Sequence, residues 1–239
     1  VATTRPVLGT CVLQLPLRRP AAVAKQATAL QLLSGGRFVL GVGVGIHSGE
    51  YERAETDYHQ RGRLMDESAA KVRAAWADPE GSDYAMQPTS PPVPVWFGGS
   101  SEAARRRAAA VGDGWIPLFL TPDDYGAALA SLRRETEQAG RDPQSVAAGV
   151  VVFACVGDGD APDQGSEWLS HMYRLPPKAF HRHLAAGSPD DCAERLRLYA
   201  EAGARHVVVM VAGSPAVEHF RQLRAAFAEE RPVLAGSPA

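Results

Sequence analysis

The sequence predicts an α/β fold with a parallel sheet, in which short strands alternate with longer helices. Short runs of apolar and β-branched residues are separated by helical patterns, which is typical of repeated βα units. The length of 239 residues suits one α/β domain, because a single barrel takes about 200 to 250 residues. Apolar residues make up 45% of the chain and charged residues 22%, as in an ordinary globular enzyme.

Six apolar runs have the length and composition of strands. They cover residues 6–13, 37–44, 93–97, 114–118, 147–156 and 206–211. Six strands are two fewer than a closed barrel of eight βα units contains. Because the first run begins within about six residues of Val1, we expect the beginning of the fold to be missing from this chain.

The helical segments carry recognisable start and stop signals. Pro20 opens a helix over residues 20–33, and Gly35 and Gly36 end it. Ser100 or Ser101 can cap a helix over residues 102–111. Further helices are expected over residues 67–76, from the N-cap Thr121 to about 139, from Ser188 to about 203, and from Pro215 to about 230.

Two stretches depart from the alternation and are candidate substrate walls. Residues 45–61 follow a strand without an immediate helix, and residues 158–186 form a long insertion. Loops after parallel strands lie on the rim where ligands bind. The insertion contains Trp168, His171, Tyr173, Phe180, His181 and His183, which favour an apolar or aromatic substrate or a lid that packs its own side chains. We predict a single domain over residues 1–231 and a flexible tail over residues 232–239.

Charge and apolar run length exclude two classes of partner. The net charge of −2 argues against nucleic acid and anionic membranes, since both need a concentrated basic surface. The longest apolar runs have strand length and fall short of the roughly 20 residues that span a bilayer.

The spacing of cysteines and histidines argues against a disulfide framework and against a metal site. Cys11, Cys155 and Cys192 are far apart and form no CxxC pair, which favours a reducing cytoplasm. His181 and His183 lack a third ligand at convincing spacing, so we expect solvated histidines on a helix face and no metal site.

Glycine is concentrated at the end of the second predicted strand. Gly41, Gly43 and Gly45 suggest a dinucleotide loop, but no helix starts inside the motif as a Rossmann fingerprint requires. The glycines allow a flat ring or a neighbouring backbone to approach the strand end. Packing alone is the other explanation.

Residues 98–101 form a candidate anion site. Gly98, Gly99, Ser100 and Ser101 join a strand end to a helix N-terminus, which presents backbone N–H groups, the positive end of the dipole and two hydroxyls. A phosphate fits there, and a tight turn with an N-cap serine is the equally weighted alternative.

His47 and Glu50 are the candidate catalytic residues, since both follow a strand on the predicted ligand rim. Either could exchange a proton with substrate, and either could anchor its loop. No GxSxG motif occurs, so a nucleophilic hydrolase is not indicated.

Several motifs, read in order, closely resemble the luciferase-like monooxygenases. They are LGTCV at residues 8–12, LPLRRP at 15–20, LSGGRF at 33–38, LGVG at 40–43, PVWFGGS at 94–100 and GDGW at 112–115. The match covers most of the chain and is weak over the insertion. The resemblance implies a TIM-type (β/α)8 barrel whose first two βα units are absent here.

The resemblance also implies a flavin-type cofactor. In the family, a cis peptide on the first of these strands supports the flavin ring, and the matching bond is Cys11-Val12. Residues 98–101 would hold the cofactor phosphate, and His47, Gly49 and Glu50 would lie beside the ring with Gly43. The GVGVG pattern is similar to the branch that uses the deazaflavin coenzyme F420. Val44 stands where bacterial luciferase has an arginine for the phosphate of FMN, the alternative cofactor.

The implied activity is hydride transfer between the deazaflavin and a small organic substrate. The alternatives are an FMN-dependent monooxygenase and a non-catalytic, flavin-binding, degenerate barrel. Because open sheet edges need covering, we expect a homodimer.

Overall fold

The computed structural model describes residues 3–77 and 87–228. The chain divides into two compact units, Val1–Pro117 with Ser131–Ala147 and Leu118–Ala130 with Ala148–Ala239. Every strand pair described is parallel, and helices alternate with the strands. The predicted α/β fold is therefore confirmed.

The first unit is built on a parallel sheet. Its strands are β1 (Leu8–Gly9), β2 (Leu13–Gln14), β3 (Phe38–Gly43), β4 (Val95–Gly98) and β5 (Gly114–Ile116). Strand β3 pairs with β1, β2 and β4, and β4 pairs with β5. Five of the six residues of β3 are buried, as expected for a parallel strand that is covered on both faces.

Four helices cover this sheet or lie at its rim. They are α1 (Pro20–Ser34), α2 (Ser48–Arg53), α3 (Arg61–Ala77) and α4 (Glu102–Val111). Helix α1 packs on α3 and β3. It ends where Gly35 takes the left-handed conformation with φ 68°, so the expected glycine C-cap is confirmed. The Ser101 hydroxyl caps α4 by accepting a hydrogen bond from the Ala104 amide.

The second unit is built on a long buried strand, β6 (Ala147–Val156). Phe153 pairs with Leu184 of β7 (Leu184–Gly187) and with Met210 of β8 (His206–Val211), so β6 lies between the two. The helices are α6 (Ala161–Tyr173), α7 (Pro189–Glu201) and α8 (Ala216–Ala228). Helix α5 (Pro122–Gln138) has residues in both units.

Two α-helices and one strand were not predicted from the sequence. Residues 45–61 were expected to be irregular but contain α2, and the insertion contains α6 and β7.

The predicted strand over residues 6–13 is interrupted at the cis peptide bond Cys11-Val12 and becomes β1 and β2. The predicted tail over residues 232–239 lies outside the described residues. Within residues 3–77 and 87–228, no helix has the length and apolarity needed to cross a bilayer.

Candidate functional site

Val12 lies against the carboxyl ends of two strands in the first unit. The peptide bond that joins it to Cys11 is cis, as the resemblance implied. A Cβ placed on Gly43 at the end of β3 would lie 2.6 Å from Cγ2 of Val12, and a Cβ on Gly98 at the end of β4 would lie 2.8 Å from Cγ1. Both glycines are therefore required by Val12. Val12 is still 37% exposed and presents an apolar surface.

Thr10 explains the other buried glycine of this strand end. Its hydroxyl donates a hydrogen bond of 2.7 Å to the carbonyl of Gly41. A Cβ on Gly41 would lie only 2.0 Å from the Thr10 carbonyl oxygen. The structure thus shows the close approach of a neighbouring backbone, one of the two explanations offered for the glycine series. An approaching ring stays a prediction.

The turn over residues 98–101 leads from β4 directly into α4. Gly99 has φ +111°, a conformation that side chains rarely adopt, and its carbonyl accepts a 3.0 Å hydrogen bond from the Trp115 indole. The Ser101 hydroxyl accepts a 3.2 Å hydrogen bond from the Ala104 amide. The predicted N-cap is confirmed at Ser101, and an anion at the turn remains a prediction.

Helix α2 carries both candidate catalytic residues. His47 is the N-cap residue and is half-buried, and within the described residues its imidazole makes no hydrogen bond. The Glu50 amide donates to the His47 carbonyl at 3.1 Å. Oε2 of Glu50 accepts a 2.7 Å hydrogen bond from Nε2 of Gln14. The anchor role therefore fits Glu50, and His47 is the side chain left for proton exchange.

Gly49 and Tyr51 occupy the same helix. A Cβ on Gly49 would lie 3.7 Å from Arg53 Nη1, an ordinary contact, so packing does not require glycine there. Tyr51 is fully buried and donates a hydrogen bond to the Val44 carbonyl. Burial raises the pKa of Tyr51, so its hydroxyl stays a donor and holds α2 to the end of β3.

The structure brings only part of the predicted site into direct contact. Val12 contacts the strand ends at Gly43 and Gly98, and the rest of the turn follows Gly98. In the part of the chain that the structure describes, no hydrogen bond joins His47 or Gly49 to Val12. Sequence reasoning missed Thr10, Gln14 and Trp115, whose polar groups hold the site. Thr10 and Gln14 are polar residues within an apolar run, so the sequence does contain a signal that could have identified them.

The aromatic residues of the insertion pack within the second unit. The ring of Phe119 lies 5.2 Å from Phe153, 4.8 Å from Tyr173 and 5.3 Å from Phe180 between centroids. Phe180 is almost fully buried. The contacts of Tyr173 and Phe180 therefore favour the self-packing lid over an aromatic substrate wall.

The two spaced histidines serve different partners. They lie in a three-residue 3-10 helix, His181–His183. His181 is exposed, with Nε2 3.2 Å from Oδ1 of Asp163. His183 meets the Phe119 ring edge to face at 5.9 Å, and burial lowers its pKa.

The profile of the family described as "Luciferase-like monooxygenase" matches residues 1–162. The chain belongs to this family. The cis bond at Cys11-Val12 and the contact of Val12 with two strand-end glycines are thus features of a luciferase-like chain.

Several curated relatives of this luciferase-like chain come from mycobacteria. An uncharacterised Mycobacterium tuberculosis protein is 36% identical over 149 residues, which cover 58% of this chain and 51% of that protein. The chain therefore spans about half the length of the curated relatives that it matches at 36% identity. The phthiodiolone/phenolphthiodiolone dimycocerosates ketoreductase of Mycobacterium kansasii is 24% identical over 289 residues, with 96% of this chain and 78% of the relative covered.

Solved structures show the fold. An F420-dependent secondary alcohol dehydrogenase, in complex with an F420-acetone adduct, superposes with a TM-score of 0.81 at 18% identity, covering 97% of this chain and 81% of that chain. The FMN complex of the oxygenating constituent of 3,6-diketocamphane monooxygenase from Pseudomonas putida has a TM-score of 0.67 at 16% identity, covering 93% and 78%. The chain thus has the α/β fold of luciferase-like TIM-barrel enzymes, and these neighbours include both cofactor types.

Proposed function

We propose that this chain is an oxidoreductase that binds coenzyme F420 and transfers a hydride between it and a small ketone or secondary alcohol. The names of the mycobacterial ketoreductase and the F420-dependent alcohol dehydrogenase support this substrate class. The proposal includes assembly as a homodimer in the cytoplasm.

The observation that carries the proposal is the contact of Val12 with Gly43 and Gly98. It sets an exposed apolar side chain next to a glycine-serine turn that opens a helix. The apolar side chain suits the face of a planar ring, and the free N–H groups of a helix N-terminus suit a phosphate. The residues present therefore fit a ring cofactor with a phosphate.

The charges near the turn are compatible with this assignment. Glu102 in the first turn of α4 would repel a phosphate, but it forms an ion pair with Arg106. The Ser101 hydroxyl is already used as the cap. Backbone N–H groups of the turn would therefore hold the phosphate, without an arginine at the position of Val44.

In this proposal His47, the N-cap residue of α2, and Glu50, within α2, have different roles. When bound, the deazaflavin supplies the hydride chemistry. His47 would give a proton to the substrate oxygen as a carbonyl is reduced, or take it in the reverse direction. Glu50 would keep the first turn of α2 in place through its hydrogen bond with Gln14.

Cofactor identity is tested by fluorescence titration of the chain with F420 and with FMN. We expect F420 to bind at least about tenfold more tightly, a difference of about 1.4 kcal/mol. Reduced F420 should then be oxidised by ketones without oxygen uptake. Tighter binding of FMN, with oxygen uptake when FMN is reduced, would instead establish the monooxygenase that the FMN-bound neighbour suggests.

The role of His47 is tested by His47→Gln, with His171→Gln as the control because His171 is exposed in the second unit. Loss of a general acid should lower kcat by about 10²- to 10⁴-fold and leave the dissociation constant for F420 nearly unchanged. An unchanged kcat in His47→Gln would remove His47 from the proposal.

A further inference from the structure

The Gln14 side chain connects the strand after the cis bond to the rim helix α2. Its Nε2 donates a 2.7 Å hydrogen bond to Oε2 of Glu50, 36 residues later in the chain. Gln14 pairs with Gly43 in the sheet and lies two residues after Val12. Gln14 therefore lies at the same strand ends as the proposed ring site.

Gly45 makes room for this amide. It has φ +73°, and a Cβ there would lie 2.7 Å from Nε2 of Gln14 and 3.0 Å from its Cδ. Any other residue would be strained and would collide with the amide group. The last glycine of the GVGVG series thus has a specific packing partner.

The hydrogen bond acts on the first turn of α2. An amide N–H that donates to a carboxylate oxygen fixes the orientation of the carboxylate. The amide of Glu50 in turn donates to the carbonyl of His47 at 3.1 Å. Fixing Glu50 therefore also fixes the backbone that carries His47.

We infer that Gln14 is a positioning residue, which holds the Glu50 carboxylate and thereby the turn of α2 that presents His47. The inference rests on the proposed function for the step from position to catalysis. The contact itself is a property of the chain without cofactor.

The experiment compares Gln14→Met and Gln14→Glu with Gln26→Met and Gln26→Glu. Methionine keeps the length of the side chain and removes the hydrogen-bond donor. Glutamate places a second carboxylate opposite that of Glu50. Gln26 is exposed on α1, so its substitutions control for the change of residue type. Hydrogen exchange of the amides of residues 48–53 is measured without cofactor, and kcat and its pH profile are measured with F420.

We expect faster exchange of these amides in both Gln14 variants and a roughly tenfold loss of kcat in Gln14→Met. In Gln14→Glu, kcat should recover as the pH falls, because one shared proton restores a hydrogen bond between the two carboxyl groups. Neither Gln26 variant should show these effects.

The outcomes separate this inference from the proposed function. Exchange that is the same in the Gln14 and Gln26 variants overturns the positioning role, whichever cofactor binds. Faster exchange with unchanged kcat and pH profile overturns it as well, because the turn then does not position a catalytic group. If the unsubstituted chain binds no F420 while exchange accelerates in Gln14→Met, the proposed function fails and the Gln14 contact stands.

Discussion

At the scale of single residues, the site is organised around the small volume of glycine. Val12 and Thr10 occupy the space that side chains at residues 41, 43 and 98 would need. Gly45 is needed for a different reason, since it combines a left-handed backbone with the amide of Gln14. Residues 10–14 thus leave no room for side chains at the positions of the glycine series. The same residues form part of the proposed ring site.

Gly98→Ala tests this packing. The added methyl would lie 2.8 Å from Val12 Cγ1, a branched side chain with little freedom to move. We expect a loss of about 1 to 3 kcal/mol in the free energy of unfolding. Binding of F420 should weaken as Val12 shifts. Urea denaturation and fluorescence titration measure the two effects.

Gly159→Ala is the matched control for that substitution. Gly159 has open space around its Cα, with no atom within 4 Å of an added Cβ, and it does not have a positive φ. The Gly159→Ala variant should retain the full free energy of unfolding and the full affinity for F420. If Gly98→Ala behaved like Gly159→Ala, Val12 would not need the glycine at residue 98.

At the scale of secondary-structure elements, local capping signals placed several helices correctly. Ser188 and Asp191 form a complete capping box at the start of α7, with the Asp191 amide donating to the Ser188 hydroxyl and the Ser188 amide donating to the Asp191 carboxylate. Thr121 caps α5 through the Asp124 amide. Such signals depend on residues three apart, which is why the sequence reveals them.

Ser188→Ala should destabilise the protein by about 0.5 to 2 kcal/mol at neutral pH, because α7 loses its side-chain cap. Hydrogen bonds from Ser188 lower the pKa of Asp191 below its ordinary value of 3.8. A lowered folded-state pKa contributes stability above about pH 4, and this stability is lost as the pH falls through the folded pKa.

The difference in unfolding free energy between wild type and Ser188→Ala should therefore shrink from pH 7 to pH 3. Chemical denaturation at several pH values measures it. Ser188→Thr keeps the hydroxyl and should retain most of the stability. A difference that stays constant down to pH 3 would argue against the Asp191 contribution.

The elements that sequence reasoning missed lack these local signals. Strand β7 reads LAAG, without a β-branched or aromatic residue, and it is held by pairing with β6. Helix α6 buries Ala161, Gly165 and Leu169 at four-residue spacing, but the small residues hide the apolar stripe. Helix α2 has six residues and begins with Ser48-Gly49, so tertiary contacts such as that of Tyr51 stabilise it.

In the candidate site, too, some features have local sequence signals and others depend on residues far apart in the chain. Ser101 could be predicted as a cap from its own neighbours, whereas the cis bond followed only from the family resemblance. The hydrogen bond between Gln14 and Glu50 joins residues 36 positions apart and depends on the backbone conformation of Gly45. No local pattern contains that information.

At the scale of the whole molecule, the first unit has an exposed apolar surface. Strand β1 pairs with β3 on one edge, and in the part of the chain that the structure describes no strand pairs with its other edge. Val7 beside it is 68% exposed, and on α1 Leu33 is 70% and Leu30 43% exposed. Unpaired edges and clustered exposed leucines favour association with another chain.

We therefore predict that the chain is a homodimer in solution, with a mass of about twice its 25.4 kDa by light scattering. Leu33→Lys places a charge on the exposed face of α1 and should raise the dimer dissociation constant, because the lysine would lose its hydration in an apolar interface. Leu175→Lys is the control, since Leu175 is 52% exposed in the second unit. A monomeric mass at every concentration tested, or equal dissociation constants for Leu33→Lys and Leu175→Lys, would contradict a dimer formed through α1.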